Sequence, residues 1–524
     1  MAKLDCVIRG GTVATAADVI RCDIGISGGR VVALGEDLGP AEDVIDASGR
    51  LVLPGGVDSH VHLAQPSGDD IVMADDFDSG TRAAAFGGNT TVLSYCLQAK
   101  GQTLRSALAD YHAKADGRAH VDHGFHLIVA DPTPSVLGQE LPALVRDGYP
   151  SFKVFMTYEG LALADLEILE VLAVARETGA LVQIHAENYD AIRFLTERLE
   201  RAAHTAPKFH AVSRPIPVER EATHRAISLA ELVDVPIVIV HVSNREAMEE
   251  IRRARNRGLR VYGETCPQYL VLTEKDLDGL GMEGARYVCS PPPRDEASQE
   301  ACWEGITTGV FDLFSSDHCP FRYDDPQGKL NARARTSFRW VPNGIPGIET
   351  RLPILFSEGV SKGRIDLARF VALTATNHAK LYGLYPRKGT IAVGSDADLV
   401  LWDLEREETI RQELLHHGAD YTPYEGFRVK GWPVLVMLRG QVIVRDGARC
   451  RPAKQKPYEP SFRQLGRPAG ANSVGSRPVG VAAGETSRFR KAPTPGAPRS
   501  SPSRMMTRPR SMTSTGQPFT RKPS

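Results

Sequence analysis

Residues 51–63 read LVLPGGVDSHVHL, and two different kinds of sequence meet at this stretch. Before it, residues 4–53 alternate short Val- and Ile-rich runs with glycine-containing turns, a pattern typical of strands and hairpins. After it, apolar runs alternate with helical stretches such as 75–88, 163–179 and 244–258. The chain therefore passes here from a β-rich segment to a repeating β/α organisation.

The β/α repeat decides the fold class. Its apolar runs end at His62, Ser94, Ala130, Phe155, His185, His241, Gly263 and Ser316. Eight strand-and-helix units are what a TIM barrel requires, and most of these runs are followed by a helical stretch. A doubly wound sheet is the alternative, but no glycine-rich phosphate loop follows the first strand. We therefore predict an α/β protein built on a (β/α)8 TIM barrel.

Strand-like sequence returns near the other end of the chain, in residues 389–447. The segments GTIAVGSDADLVLWD and PVLVMLRGQVIVRDG have the same texture as residues 4–53. Because the two ends look alike, we expect them to pair into one small β-domain.

The last segment, residues 461–524, differs from the rest in composition. It holds sixteen Ser and Thr, nine Pro and only four Ile, Leu or Val, so it cannot build a core and we predict disorder. It also holds twelve Lys and Arg but a single acidic residue, which leaves a net charge of −12 on the remainder. Such an acidic net charge over residues 1–460 argues against nucleic-acid binding by this part of the chain. The basic tail could touch an anionic partner, but its composition favours an appendage without function.

Cysteine usage and hydropathy indicate the compartment. The eight cysteines are scattered without a CxxC pair, which argues against a zinc knuckle and against a secreted disulfide framework. The N-terminus, MAKLDCVIRGG, lacks the apolar stretch of a signal peptide, and no apolar run is long enough to cross a bilayer. We expect a reduced, cytoplasmic protein without membrane contact.

The strongest chemical signal is DSHVH at residues 58–62, at the end of the first predicted barrel strand. On a strand, side chains two residues apart share a face, so His60 and His62 both point into the barrel at its C-terminal rim. Alone, such a pair is weak evidence, and a lone histidine after a strand usually just forms hydrogen bonds. Three more metal-binding residues follow separate predicted strands: His185, His241 and Asp317. Four imidazoles and a carboxylate suit zinc or a similar cation.

Lys153 stands in the middle of the predicted strand SFKVFMTY. A bare ammonium buried among metal ligands would be repelled and poorly solvated. Carboxylation by CO₂ would turn the side chain into an anion whose two oxygens can bridge two cations. The alternative is that Lys153 extends its ammonium to solvent.

Together these motifs resemble the dihydropyrimidinase/hydantoinase branch of the amidohydrolase superfamily over about residues 4–460. They occur in the family's order: HVH, FKVFMTY, QIHAEN, VIVHVSN, GETCPQYL, CSPPPR, SSDHCP and PNGIPGIE. The resemblance implies a (β/α)8 barrel with a β-sandwich formed by both chain ends, and a homotetramer. The predicted domains are then an N-terminal sandwich segment at 1–53, the barrel at 54–385, a C-terminal sandwich segment at 386–460 and the tail at 461–524.

The resemblance also implies a metal centre of two zinc ions. One ion would be held by His60, His62 and Asp317, the other by His185 and His241, with carboxylated Lys153 as the bridge. Tyr158 matches the tyrosine that donates a hydrogen bond to the oxyanion, and Asp317 matches the proton-transferring base. Ser290 and Asn343 match positions whose main-chain groups hold a cyclic imide. The implied reaction opens dihydropyrimidines or 5-substituted hydantoins to N-carbamoyl amino acids.

The sequence departs from the commonest family pattern where substrate substituents would lie. The segments concerned are 64–67 (AQPS), 94–101 (SYCLQAKG) and 159–161 (EGL). Dihydroorotases usually carry an arginine for the substrate carboxylate where this chain has Ala64, so a neutral ring is the expected substrate. Allantoinase remains an alternative. A metal-free assembly protein of the same fold is the other, although such proteins lack several ligands that this chain retains.

Overall fold

The computed structural model describes residues 3–68 and 70–450, and seven short strands come first in it. They are β1 (Leu4–Arg9), β2 (Thr12–Ala14), β3 (Val19–Arg21), β4 (Asp23–Ser27), β5 (Arg30–Gly35), β6 (Ala41–Asp46) and β7 (Leu51–Pro54). Four of them form a sheet in the order β5-β4-β1-β6. The predicted tail, 461–524, lies outside the described residues.

Eight parallel strands then form the barrel sheet. They are β8 (Gly56–Val61), β9 (Asn89–Leu97), β10 (Asp122–Ile128), β11 (Ser151–Phe155), β12 (Leu181–His185), β13 (Ile237–Ile239), β14 (Val261–Thr265) and β15 (Leu313–Phe314). They hydrogen-bond in chain order, and the Val61–His318 bridge brings the two edges together. The predicted TIM barrel is confirmed, and the doubly wound alternative is wrong.

Thirteen α-helices are present in the described residues of the chain. They are α1 (Ser79–Phe86), α2 (Leu104–Ala115), α3 (Leu141–Arg146), α4 (Asp165–Thr178), α5 (Tyr189–Arg201), α6 (Phe209–Ser213), α7 (Ile216–Val233), α8 (Arg245–Asn256), α9 (Gln268–Val271), α10 (Glu296–Thr308), α11 (Arg351–Leu355), α12 (Leu367–Val371) and α13 (Asn377–Leu381). None of the helices within residues 3–68 and 70–450 is long and apolar enough to span a membrane.

The last four strands are β16 (Leu399–Thr409), β17 (Arg428–Leu438), β18 (Gln441–Arg445) and β19 (Ala448–Arg449). They join a seven-stranded sheet in the order β19-β18-β17-β16-β7-β2-β3, so β7, which precedes the barrel, pairs with β16, which follows it. The two sheets share one apolar core, in which Ile8 and Ile24 of the four-stranded sheet pack with Leu399 and Met437 of the seven-stranded sheet. The domain boundaries at 53, 385 and 460 stay a prediction.

The barrel interior divides into an apolar and a polar end. Val57, Leu181 and Leu313, each the first or second residue of its strand, belong to one buried apolar cluster with Tyr382. Polar side chains take over at the strand ends, where His185 is the last residue of β12. Because all eight strands run the same way, these ends meet at one rim, which is where TIM barrels carry their sites.

Candidate metal centre

The first group of candidate ligands lies where the two edges of the barrel meet. Nε2 of His60 is 3.0 Å and Nε2 of His62 is 3.5 Å from Oδ1 of Asp317. One donor atom from each of these three residues lies within 4.8 Å of the other two. The geometry suits a single cation held between two imidazoles and a carboxylate.

The second group is a pair of histidines from the neighbouring stretch of the rim. Nδ1 of His185 lies 3.0 Å from Nε2 of His241, which stands two residues after β13. The rings of His60 and His241 are 5.4 Å apart, so the two groups are neighbours. The fold thus brings together all five of the His and Asp residues chosen from sequence.

Lys153 lies in β11 and is 1% exposed, so the alternative of a solvent-exposed ammonium is wrong. Its Nζ has no hydrogen-bond partner, and it lies 4.8 Å from the centre of the Tyr95 ring. Burial lowers the pKa of Lys153 to about 8, against the opposing influence of Glu264 and Asp317. An unpaired buried amine beside candidate metal ligands is an unsatisfied group that carboxylation would convert into a ligand.

Three of the histidines have their outward-facing ring nitrogen held by a neighbour. Nδ1 of His60 lies 2.6 Å from Glu264, Nδ1 of His62 lies 2.8 Å from Gln65, and Nε2 of His185 lies 2.8 Å from Glu187. Such partners fix the tautomer and aim the other nitrogen at the metal. These residues fit a metal centre, because the ring nitrogens that face the cluster contact only other candidate ligands.

Electrostatics keep four of the five candidate donors in the forms that bind cations. Burial lowers the pKa of His62, and it lowers those of His185 and His241 well below the usual value, so these rings are neutral at pH 7. Burial would raise the pKa of Asp317, but His60 outweighs it and holds that pKa well below its usual range. His60 differs from the other histidines: burial would lower its pKa, but the charge of Glu264 outweighs burial and the pKa is raised. A bound cation would compete with that proton.

The backbone at the rim is unusual at three predicted site residues. Tyr158, His241 and Asp317 have φ values of 73°, 42° and 48°. Side chains other than glycine rarely adopt this left-handed conformation, which costs about 1–3 kcal/mol and persists only where surrounding contacts hold it. These left-handed conformations were not predicted from the sequence.

Tyr158, Ser290 and Asn343 form the polar surroundings of the cluster. The Tyr158 ring is 5.2 Å from that of His185. Burial and Glu187 raise the pKa of Tyr158 against the opposing influence of Arg214 and Ser290. Oγ of Ser290 and Oδ1 of Asn343 are buried without a hydrogen-bond partner of normal geometry. Unsatisfied polar atoms at a buried site are positions where a ligand can bind.

Sequence reasoning missed several contributors. Glu264 is the clearest: it is fully buried, contacts His60 and also accepts a hydrogen bond from Ser315. Its signal was a carboxylate inside the strand sequence VYGET, where a charge requires a partner. Gln65, which lies in a segment expected to contact substrate, instead contacts the candidate ligand His62.

Comparison with known proteins agrees with this geometry. The profile of the amidohydrolase family matches residues 51–443. The D-hydantoinase of Ralstonia pickettii is 47% identical over 446 residues, which cover 85% of this chain and 96% of that protein. The D-hydantoinase of Geobacillus stearothermophilus is 47% identical over 443 residues, covering 84% and 93%.

Solved structures give the same answer. One D-hydantoinase structure superposes with a TM-score of 0.83 at 47% identity, covering 85% of this chain and 96% of that one. The dihydropyrimidinase of Brevibacillus agri superposes with a TM-score of 0.82 at 46% identity, covering 84% and 95%. The chain belongs to the D-hydantoinase/dihydropyrimidinase branch of the amidohydrolase family. The cluster at the barrel rim occupies the place where an amidohydrolase on this fold would carry its metal site.

Proposed function

We propose that this amidohydrolase is a binuclear zinc enzyme that opens 5-substituted hydantoins or 5,6-dihydropyrimidines to N-carbamoyl amino acids. The observation that carries the proposal is the joint presence of a five-residue His and Asp cluster, an unpaired buried Lys153 and unsatisfied polar atoms at Ser290 and Asn343. Relatives named D-hydantoinase and dihydropyrimidinase support it.

Two zinc ions would be held by the two histidine groups, with Asp317 beside the first and Lys153 between them. When bound, such ions lower the pKa of a water molecule towards about 7 and polarise a carbonyl group. Carboxylated Lys153 and ionised Asp317 would offset two of the four positive charges. A free amine is needed for carboxylation, and the lowered pKa of Lys153 favours that form.

Asp317 and Tyr158 supply the proton chemistry. Asp317 stays ionised because His60 lowers its pKa, so it can take a proton from the attacking water and pass it to the leaving ring nitrogen. Burial raises the pKa of Tyr158, which keeps its hydroxyl protonated at neutral pH. Tyr158 therefore donates a hydrogen bond to the oxyanion that forms on the attacked carbonyl.

Ser290 and Asn343 recognise the ring. The main-chain N–H groups of both residues make no hydrogen bond within residues 3–68 and 70–450. A cyclic imide presents a carbonyl, an N–H and a second carbonyl in one plane, which complements main-chain donors and acceptors. The ring would lie between these groups and the metal cluster.

The proposal includes a cytoplasmic location, a homotetrameric assembly and zinc as the bound metal. All eight cysteines are free, which agrees with a reducing cytoplasm. The homotetramer rests on family resemblance. Zinc is preferred to other cations because imidazole and carboxylate donors suit it.

A substrate panel tests the proposal. Zinc-loaded protein is incubated with a 5-monosubstituted hydantoin, dihydrouracil, allantoin and dihydroorotate, and the ring-opened products are quantified by mass spectrometry. Asp317→Asn gives the background rate. We expect turnover of the hydantoin or dihydrouracil; turnover of allantoin alone moves the protein to the allantoinases, and no turnover by fully loaded protein contradicts the proposal.

A further inference from the structure

Lys329 is a buried lysine remote in sequence from every predicted site residue except Asp317 and Asn343. It is fully buried, and its Nζ donates two hydrogen bonds of 2.7 Å, one to the carbonyl of Val288 and one to the carbonyl of Pro342. Within residues 3–68 and 70–450, no carboxylate forms an ion pair with this ammonium; only the thiols of Cys289 and Cys319 act to raise its pKa. The ammonium is therefore held by two main-chain carbonyls and by no counter-ion among the described residues.

The two carbonyls belong to the two ring-binding loops. Val288 lies two residues before Ser290, and Pro342 lies directly before Asn343. The carbonyl of Pro342 and the N–H of Asn343 belong to the same peptide group, so a donor at that carbonyl polarises that N–H. Lys329 thus acts on the very peptide that would donate to the imide.

The loops are joined a second time at the same carbonyl. The N–H of Gly344 donates to the carbonyl of Val288 at 3.0 Å. Gly344 has a φ of 143°, and a Cβ there would come within 2.3 Å of the Cys319 carbonyl, so only glycine allows this approach. The loops are therefore held at a fixed separation by one main-chain bond and one ammonium.

Burying an ammonium without an anion is costly, and burial accordingly lowers the pKa of Lys329 to about 7. A hydrophobic residue of similar length would avoid that cost if the position only had to fill space. The cost makes sense if the donor is needed where it lies.

We propose that Lys329 is a positioning residue for substrate: it ties the loop of Ser290 to the loop of Asn343 and so sets the spacing of the main-chain groups that hold the cyclic imide. The inference rests on the proposed function. It assigns Lys329 to ring binding and leaves metal binding to the separate cluster at the rim.

Lys329→Met keeps an unbranched side chain only one atom shorter than lysine and removes both hydrogen bonds. We expect KM for the preferred cyclic imide to rise between about 10- and 100-fold, because a small displacement of positioning groups has effects of that size. The change in kcat should be smaller, since the ring is held alike in the ground state and the transition state. Zinc content should not change. Lys329→Gln, which retains an N–H donor at the end of a shorter side chain, should give an intermediate KM and covers the case in which the methionine variant does not fold.

Asn331→Ala is the matched control. Asn331 lies in the same segment and donates to the carbonyls of Gly328 and Trp340. It makes no hydrogen bond to the two carbonyls that Lys329 binds. We expect it to lower the melting temperature while KM stays within about threefold of the wild type. If the wild type is active, an unchanged KM in both Lys329 variants, or an equal rise of KM in Asn331→Ala, overturns the positioning role of Lys329. Absence of cyclic-imide turnover by the wild type overturns both the proposed function and the positioning role of Lys329.

Discussion

Replacing Glu264 by glutamine tests whether a buried carboxylate tunes the first metal position. Oε1 of Glu264 accepts from Nδ1 of His60 at 2.6 Å and from the N–H of His241 at 3.2 Å, and Oε2 accepts from Ser315 at 2.7 Å. A glutamine can keep all three contacts if its amide nitrogen faces Ser315, whose hydroxyl can rotate to accept. The substitution therefore removes the charge while preserving the shape.

The size of the effect follows from the charge. A hydrogen bond to a charged group contributes about 1.5–3 kcal/mol and a neutral one about 0.5–1.5 kcal/mol. The His60 bond would lose about 1–1.5 kcal/mol of charge assistance when Nε2 binds a cation, which is roughly tenfold in affinity. Loss of the buried negative charge beside the cations adds to this, so we expect zinc affinity to fall between about 10- and 100-fold.

The assay is competition for zinc against a chelator of known affinity, with the metal content measured at each step. Activity of Glu264→Gln should fall at limiting zinc and recover largely at excess zinc. Glu219→Gln is the control, because Glu219 is equally buried and accepts from Asn244 and Arg294 but contacts none of the candidate ligands. Zinc affinity of Glu264→Gln within about threefold of the wild type, or an equal loss in Glu219→Gln, would refute the reasoning.

Three further predictions follow from the same site and chain. Lys153→Ala should lose most of its zinc and nearly all activity, since an anionic bridge between two cations disappears, and added short carboxylic acids should restore some of the rate; an unmodified lysine in a fully loaded, active enzyme, detected by mass measurement, would contradict carboxylation. The kcat/KM for dihydrouracil or a monosubstituted hydantoin should exceed that for dihydroorotate by at least ~10³-fold, taking ~4 kcal/mol for an unpaired buried carboxylate, and Ala64→Arg should narrow the gap; comparable turnover of dihydroorotate by the unmutated enzyme would exclude a neutral-ring specificity. Truncation near residue 465 should leave melting temperature and turnover nearly unchanged, because the removed sequence has little to bury, and a large loss of either would show that the tail docks.

The barrel could be predicted because its signal is local. Strand β11, SFKVF, and strand β12, LVQIH, are buried at every position, as parallel barrel strands covered on both faces must be. The two-residue period of a strand likewise put His60 and His62 on one face. The role of residues 64–67, where the sequence departs from the family pattern, could not be predicted from strand periodicity. The hydrogen bond between Gln65 and His62 depends on the conformation of the loop.

Sequence by itself determined the donor set of the candidate metal centre, because residue type fixes which atoms can bind a cation and strand periodicity fixes where they point. Only the tertiary structure decided what holds those donors. His60 and Glu264 are 204 residues apart in the chain, and Lys329 reaches a carbonyl 41 residues before it and another 13 residues after it. Such contacts depend on which strands and loops become neighbours when the barrel closes, and no local pattern encodes that distance in space.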